Sequence, residues 1–306
     1  MVAKELNGRY LAQKIKSQLA EKVGSLPLKP GLAYLAFGED EASAQYLSAV
    51  QKACREVGFF FLSEKFPEDV SIEDFLNRLA ELNSSQEIHG ILIQSQFPRQ
   101  LNFRRICQEI SPQKDVDGIH PFNQGLLFSD SPVFIPCTAK AVWYLLKENG
   151  IKISGKSVVI LGRSLSVGKP LAVLLLRENA TLTICHKQTV NLKDVSRTAD
   201  ILIVSTGSPG LVKQDWVSPE AVVIDVGIHV VKGKVVGDVD TAAVFEKASW
   251  ITPVPGGVGP VTTACLLENT FHAFQQLNLK LLQLDFSKKA GRCEEIYKLD
   301  WHNEST

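Results

Sequence analysis

The first residues that could carry chemistry form a loop between a buried strand and an apolar helix. Val158–Leu161 is a continuous apolar run of the kind that is buried on both faces in a parallel sheet. Gly162, Ser164 and Gly168 follow it and lead into an apolar helix. Small residues let the backbone approach phosphate groups, and the free N–H groups at a helix start bind anions. This order of elements predicts a dinucleotide site.

The spacing of this loop differs from the usual G-x-G-x-x-G fingerprint. Ser164 occupies the middle glycine position, and the loop is one residue longer. A tight strand-to-helix turn that binds nothing is therefore an alternative interpretation of the same residues.

Cationic residues near the loop favour a nucleotide that carries an extra phosphate. Arg163 lies in the loop, and Lys187 follows the next predicted strand, Thr181–Cys185. A carboxylate after that strand would hold the ribose 2′-hydroxyl of NAD, but His186 and Lys187 are there instead. A positive pair suits the 2′-phosphate of NADP, so we predict NADP as the cofactor. The alternative for Lys187 is an ordinary solvated loop lysine.

The composition is that of an ordinary soluble globular protein. The 306 residues are 45% hydrophobic and 22% charged, and 33 basic residues balance 33 acidic ones. No net field draws such a chain to nucleic acid or to a membrane. No apolar run approaches the roughly 20 residues of a membrane span, and the start lacks the apolar core of a signal peptide. We therefore expect a cytoplasmic protein without nucleic-acid or membrane partners.

The six cysteines, at positions 54, 107, 137, 185, 265 and 293, do not indicate a metal site. They are scattered, form no Cys-x-x-Cys pair, and have no histidine near them at metal-ligand spacing. Reduced, buried thiols in a cytosolic protein are the interpretation that we favour.

Short apolar runs alternate with longer helical patterns along nearly the whole chain, which predicts a parallel α/β architecture. The predicted strands are Leu32–Phe37, Phe59–Leu62, His89–Gln94, Ser157–Leu161, Thr181–Cys185, Ile201–Ser205 and Ala221–Val226. The predicted helices are a first one with Leu11, Ile15, Leu19 and Val23 along one face, then Ser43–Val57, Ser71–Leu82, Phe103–Ile110, Thr138–Asn149 and Thr262–Leu277.

The length exceeds what one hydrophobic core usually serves, so two domains are expected. We predict a three-layer α/β domain over residues 1–140 and a Rossmann-type dinucleotide domain with a parallel sheet over residues 141–274. Residues 275–306, with a polar tail after Leu284, are expected to pack back on the first domain.

Several strings of this sequence closely resemble the methylenetetrahydrofolate dehydrogenase/cyclohydrolases. They are KDVDGIHPFNQG (114–125), GRSLSVGKPLA (162–172), ATLTICHKQT (180–189), ADILIVSTGSPGLV (199–212), AVVIDVGIH (221–229) and TPVPGGVGPVTTACLLENT (252–270). The resemblance runs in order from about Leu6 to Leu277. It implies a two-domain subunit whose N-terminal domain is catalytic, a folate in the cleft between the domains, and usually a homodimer.

The resemblance also implies the reactions. NADP-dependent oxidation of 5,10-methylenetetrahydrofolate would give 5,10-methenyltetrahydrofolate, and hydrolysis would then give 10-formyltetrahydrofolate. Such a multifunctional enzyme, both oxidoreductase and hydrolase, serves one-carbon metabolism and purine biosynthesis.

Residue by residue, the resemblance implies nucleotide contacts at Gly162, Arg163, Ser164 and Lys187. It implies further contacts around the nicotinamide at Thr206, Gly207 and Ile228. It implies that Tyr46, Gln94 and Asp117 are catalytic residues that also bind substrate. It also implies that the loop residues Pro255, Gly256 and Gly257 line the folate cleft. Asp117 corresponds to the carboxylate that grips the pterin ring. Its two oxygens match the two adjacent donors of a 2-aminopyrimidinone edge.

The sequence departs from the family in the catalytic segment Tyr-x-x-x-Lys. Tyr46 is retained, but Val50 stands at the lysine position. Lys52 cannot simply substitute, because two further residues rotate it by roughly 200° to the opposite helix face. The other departures are residues 94–98 in place of Gln-Leu-Pro-Leu-Pro, residues 136–141 in place of Pro-Cys-Thr-Pro-x-Gly, and His229 in place of an asparagine.

The two reactions differ in how much they depend on a lysine at position 50. Hydride transfer is cofactor chemistry, for which the protein mainly supplies orientation. Hydrolysis of the methenyl cation requires water activation and proton movement, to which a positioned acid or base contributes ~10²–10⁴-fold. His120 and His229 are the nearest candidates for a relocated base. We expect dehydrogenase activity to survive and cyclohydrolase activity to be strongly reduced.

Two other functions stay open at this point. Val50 and the other departures are also what a degenerate paralogue would show, one that binds folate and NADP without turnover. The second is an unrelated Rossmann dehydrogenase that acts on another small substrate, which the family strings in the N-terminal half disfavour.

Overall fold

A computed structural model describes residues 2–38, 41–94, 98 and 102–286 of the chain. The predicted polar tail from residue 287 onward, with Cys293, lies outside these residues, as do Ser95, Gln96 and Phe97. No helix in the described part is both long enough and apolar enough to span a membrane.

Up to residue 148 the chain alternates helices with the strands of a small parallel sheet. Its elements are β1 (Lys4–Glu5), α1 (Gly8–Gly24), β2 (Gly31–Phe37), α2 (Glu41–Val57), β3 (Phe60–Phe66), α3 (Ile72–Ser84), β4 (Gly90–Ile93), α4 (Phe103–Glu109), α5 (Pro121–Phe128) and α6 (Cys137–Glu148). Three of these strands form what we call the small sheet, in the order β3-β2-β4.

Helices cover both faces of the small sheet, so every residue of its central strand β2 is buried. Successive side chains of a strand point to opposite faces. Leu32 and Tyr34 accordingly pack into the core that α1 and α2 share, whereas Leu35 and Phe37 pack with Phe75 of α3. The three-layer arrangement that we predict for this part of the chain is confirmed.

The edge strand β3 differs from the prediction in length. It continues to Phe66, whereas the apolar run predicts an end at Leu62. An edge strand has one neighbour and a partly exposed surface, so polar residues such as Glu64 and Lys65 can continue it.

The rest of the chain builds a larger parallel sheet. Its elements are β5 (Ser157–Leu161), α7 (Gly168–Arg177), β6 (Thr181–Cys185), α8 (Leu192–Ser196), β7 (Ile201–Val204), a 3₁₀ turn (Gln214–Trp216), β8 (Val222–Asp225), β9 (His229–Val231), β10 (Lys234–Val236), α9 (Thr241–Val244), β11 (Trp250–Ile251) and α10 (Val258–Phe286). The large sheet has the order β1-β11-β8-β7-β5-β6, and all its pairs are parallel. The predicted parallel α/β architecture is thus confirmed, and β9 and β10 form a separate antiparallel hairpin.

The last helix begins earlier and ends later than predicted. α10 runs over Val258–Phe286, whereas the apolar pattern predicts Thr262–Leu277. Pro260 is accommodated because a proline in the first turn of a helix has no intrahelical N–H bond to lose. α10 packs against α1, α2 and α6 and against β4, so it joins the helices that cover the small sheet.

The start of the chain connects the two sheets. β1 pairs with β11 at the edge of the large sheet, and α1 then packs against α2 and α10. At the turn between them, Gly8 N–H donates to the Gly256 carbonyl over 2.9 Å. A Cβ on Gly8 would lie 1.9 Å from the Gly257 carbonyl oxygen, so only glycine permits this approach.

Replacing each of the two glycines at the ends of α1 with alanine will distinguish the effect of this close approach on stability from the effect of helix propensity. Gly8→Ala is expected to cost about 1–3 kcal/mol of unfolding free energy, because the loop at Gly257 must move. Gly24→Ala is the matched control, since a Cβ there meets nothing within 4 Å, and it is expected to be neutral or stabilising by about 0.5–1 kcal/mol. Urea unfolding of both variants measures this difference, and equal stabilities would contradict the account.

Candidate active site

The loop before α5 is held by a buried lysine. Lys114 is only 4% exposed, and its Nζ donates to the Leu82 carbonyl over 3.0 Å and to the Ser85 carbonyl over 2.6 Å. These carbonyls end α3, where backbone acceptors lack helical partners. Burial lowers the pKa of Lys114 to about 8. Lys114 therefore fixes the loop to α3 and does not point into a cleft.

The next residue fixes the other end of the loop. The fully buried carboxylate of Asp115 accepts bonds from the N–H groups of Ile119 (3.1 Å) and His120 (2.9 Å) and from Asn123 Nδ2 (2.7 Å). Lys114 and Asp115 thus hold the loop that carries Asp117 in a defined position.

His120 is used as a helix cap. Its Nδ1 accepts the Phe122 N–H over 2.9 Å at the start of α5, and its Nε2 lies 3.3 Å from the Gln108 carbonyl. Both ring nitrogens therefore have structural partners, which weakens the hypothesis that His120 is a relocated base.

Asp117, Tyr46 and Cys137 lie together at the wall of the small-sheet core. Burial, with the charge of Asp115, raises the pKa of Asp117 to about 7, although hydrogen bonding from Cys137 opposes the shift. Burial and the Asp117 charge in turn raise the pKa of Tyr46 well above its ordinary value. The Tyr46 ring lies 6.2 Å from the ring of Tyr34, centroid to centroid. A partly desolvated carboxyl beside a protonated phenol is an environment that favours a ligand with hydrogen-bond donors.

The position at which the family resemblance expects a lysine is apolar. Val50, one turn after Tyr46 on α2, is 0% exposed and belongs to the main core cluster. Lys52 is exposed, in agreement with its predicted place on the opposite helix face. A valine side chain can neither donate nor accept a proton.

Lys140, one turn after Cys137, is a lysine whose charge is already paired. Lys140 on α6 contacts Glu268 Oε2 at 3.1 Å and Asn269 Oδ1 at 3.3 Å, and lies 5.4 Å from the Tyr144 ring centroid. Burial alone would lower the pKa of Lys140, but the Glu268 carboxylate outweighs burial and raises it.

Gln94 follows β4 at the carboxyl end of the small sheet. Its N–H donates to the Leu35 carbonyl over 2.9 Å, and its side-chain Oε1 accepts the Phe37 N–H over 3.2 Å. The side chain is buried and held by the neighbouring strand β2, so its amide nitrogen has a fixed orientation.

The predicted dinucleotide loop is shaped by close backbone contacts. Gly162 has φ +130°, and a Cβ on it would lie 2.1 Å from the Ser205 carbonyl oxygen. A Cβ on Gly168 would lie 2.2 Å from the Gly162 carbonyl oxygen. Ser164 Oγ accepts the Val167 N–H over 3.1 Å and thereby stiffens the entry to α7.

The two predicted phosphate-binding cations lie open to solvent. Arg163 in the loop and Lys187 after β6 are both exposed, at the carboxyl ends of adjacent strands. The His186 side chain makes a local hydrogen bond, in which its Nδ1 accepts the Gln188 N–H over 3.2 Å. The arrangement can receive a phosphate group on the outer end of a nucleotide.

Ile228, which is predicted near the nicotinamide, meets the predicted folate loop in one cavity of about 160 Å³. Ile228 is 57% exposed and lines it together with the segment 253–260. Thr206 and Gly207 are not among its lining residues, and their N–H groups donate to the carboxylate of Asp238 at 2.6 and 3.0 Å.

The sequence analysis missed several functional candidates in this region. Arg9, which lies in the first turn of α1, also lines the cavity, and its guanidinium is near Gly256. Cys137 and Asp238 were not singled out either. None of the three carries a local sequence signal, because each acquires its place through a contact with a distant segment.

The chain matches the tetrahydrofolate dehydrogenase/cyclohydrolase family over residues 6–117, its catalytic domain, and residues 136–278, its NAD(P)-binding domain. The bifunctional protein FolD of Geotalea uraniireducens is 46% identical over 276 residues, which are 89% of this chain and 99% of that protein. The corresponding protein of Geobacillus thermodenitrificans is 46% identical over 284 residues, covering 92% of this chain and all (100%) of its own length.

Solved structures of the same family have a similar fold. The bifunctional FolD of Campylobacter jejuni superposes with a TM-score of 0.86 at 40% identity, covering 90% of this chain and 99% of that one. The FolD of Trypanosoma brucei, complexed with NADP cofactor and inhibitor, gives a TM-score of 0.86 at 36% identity, covering 90% and 98%. These matches exclude an unrelated Rossmann dehydrogenase. The chain belongs to the tetrahydrofolate dehydrogenase/cyclohydrolase family.

Proposed function

We propose that this protein oxidises 5,10-methylenetetrahydrofolate to 5,10-methenyltetrahydrofolate with NADP, and that its cyclohydrolase activity is strongly reduced. Family membership and the NADP bound to the Trypanosoma brucei relative support the first part. The observation that carries the second part is the buried, apolar Val50 one turn after Tyr46.

The loop at Gly162 and the cations around it fit NADP. Glycines at 162 and 168 bring the backbone close to the phosphates, and the exposed Arg163 and Lys187 suit the 2′-phosphate. Bound NADP supplies one chemical property, acceptance of a hydride at nicotinamide C4. The remaining nucleotide contacts that we propose are Ser164 in the same loop, Thr206 and Gly207 after β7, and Ile228 at the cavity.

In the proposed substrate site, Asp117 binds the pterin edge while Tyr46 and Gln94 orient the ring and the reacting carbon. On the other side of the substrate we place the loop residues Pro255–Gly257, which line the cavity. Arg9 stands at the same cavity, where its cation suits a carboxylate of the folate tail. Hydride transfer needs only this orientation, since no protein group has to exchange a proton with the substrate.

Hydrolysis needs a proton-transferring group, and the candidates are engaged elsewhere. Lys140 is paired with Glu268, His120 caps α5, and His229 contacts Asp238. The loss of a positioned acid or base corresponds to about 3–5.5 kcal/mol of barrier. Methenyl product would therefore leave the enzyme before hydrolysis.

Further parts of the proposal concern organisation. We propose that residues 1–140 form the folate-binding domain and residues 141–274 the NADP-binding domain, with part of 275–306 packed on the former. α10 supports this division, since it extends past residue 275 and packs on helices of the small sheet. A cytoplasmic homodimer that serves purine biosynthesis is the setting that the family suggests.

A gain-of-function pair will test the proposal at Val50. The wild type, given 5,10-methylenetetrahydrofolate and NADP, is expected to form NADPH and accumulate methenyl product, separated from formyl product by acid quench. Val50→Lys is expected to accelerate formyl formation by about 10²–10⁴-fold, and Val50→Met, similar in length but unable to transfer protons, is expected to behave as wild type.

Two results would contradict this. Rapid formyl production by the wild type would show that another group has replaced the lysine. Binding of both ligands without NADPH formation would favour the paralogue that binds without turnover.

The elevated pKa of Asp117 predicts a stability effect with a defined pH dependence. The folded protein favours the protonated carboxyl, so stability is lost as pH rises from the ordinary value of 3.8 to about 7 and then stays constant. Asp117→Asn is therefore expected to be more stable than wild type at pH 8 by about 1–3 kcal/mol, allowing for partial solvent screening, with a smaller difference at pH 5. It is also expected to lose folate affinity.

Urea unfolding at both pH values measures this effect. Asp69→Asn, at an exposed position, is the control and should show no difference. An Asp117→Asn variant that is less stable than wild type at pH 8 would contradict the assignment.

A further inference from the structure

One buried carboxylate connects three segments beside the cavity. Asp238 is 0% exposed. Its Oδ2 accepts the N–H groups of Thr206 (2.6 Å) and Gly207 (3.0 Å), from the loop after β7. Its Oδ1 lies 2.7 Å from Nε2 of His229, the first residue of β9. The side chain of His229 is mostly buried, with 21% exposed.

A second buried carboxylate lies next to the first. Asp225, at the end of β8, accepts the N–H groups of Gly227 (2.9 Å) and Asp238 (3.0 Å) at Oδ1 and of Val239 (2.9 Å) at Oδ2. Burial raises the pKa of Asp225 to about 6, although these backbone bonds oppose the shift. Among the ion pairs of the described residues, His229 is the basic partner of Asp238.

His229 also determines the position of its neighbour in the chain. Ile228 projects into the cavity, and its Cδ1 lies 3.3 Å from where a Cβ on Gly259 would be. On the other side, His229 pairs in register with Val236 of β10. Fixing the imidazole on Asp238 therefore fixes the backbone next to Ile228.

We infer that His229 is a positioning residue for the nicotinamide end of the NADP site, acting through its hydrogen bond to Asp238. The bond holds Ile228 on one side and the Thr206–Gly207 loop on the other. The inference rests on the proposed function, because it takes these residues as nicotinamide contacts.

Without the imidazole, Asp238 Oδ1 would lose its basic partner while remaining buried beside Asp225. A buried charge that loses a hydrogen-bond partner is strongly destabilised. The carboxylate would then lose the contact that orients it, which weakens it as the acceptor for the Thr206 and Gly207 N–H groups. The adenosine end of the site, at Arg163 and Lys187, lies at other strand ends and would be unaffected.

Titration calorimetry with two ligands tests this. His229→Leu is expected to bind NADP about tenfold more weakly, as for one lost hydrogen bond to a charged group. It should bind adenosine 2′,5′-bisphosphate, which lacks the nicotinamide half, as the wild type does. His229→Gln places an amide donor near the Nε2 position and is expected to restore affinity to within about threefold, a shift of less than 1 kcal/mol. Lys234→Ala, at an exposed position of the same hairpin, should bind both ligands normally.

Unchanged NADP affinity in His229→Leu would overturn the inference, as would an equal loss for both ligands or a failure of His229→Gln to restore binding. If His229→Leu does not fold, His229→Ala takes its place with the same expectations. Wild-type protein that binds neither ligand would instead contradict the proposed function.

Discussion

The approach of Gly8 to the carbonyl of Gly257 is the constraint on which the arrangement of the site depends. It brings the start of α1 directly onto the loop that lines the cavity. Since β1 belongs to the large sheet and α1 packs with the helices of the small sheet, the same contact connects the two halves of the molecule. It also brings Arg9 to the cavity, where a side chain from the N-terminal segment joins residues from the C-terminal loops.

Three carboxylates of the candidate site are desolvated, but hydrogen-bond donors compensate them to different degrees. Asp225 and Asp238 are buried and surrounded by backbone N–H donors, so each stabilises the loops around it. Asp117 is compensated only by hydrogen bonding from Cys137, and its pKa, raised to about 7, lies above that of Asp225, raised to about 6. A desolvated and poorly compensated carboxyl lowers the stability of the protein alone, and a ligand with matching donors relieves this cost. The stability sacrificed at Asp117 is therefore a physical argument for substrate binding there.

Much of the fold could be predicted from local patterns, but the site could be predicted only in part. Continuous apolar runs located β2 and the strands of the large sheet, because strands buried on both faces have that composition. Strands as short as Lys4–Glu5 have no periodicity to detect, and the link from Asp238 to Thr206 spans 32 residues. The proposal that Val50 stands in place of a catalytic lysine depends on the family resemblance, since a buried valine on a helix has no distinguishing feature of its own.

We propose that this protein has the geometry for hydride transfer and lacks the group for proton transfer. The most direct test supplies authentic 5,10-methenyltetrahydrofolate to the wild-type protein and follows its disappearance against the uncatalysed rate. The account predicts that the protein accelerates hydrolysis by no more than about tenfold, because Val50 offers no acid or base. An acceleration of about 10²–10⁴-fold or more would contradict it and show that a proton-transferring group acts at this site after all.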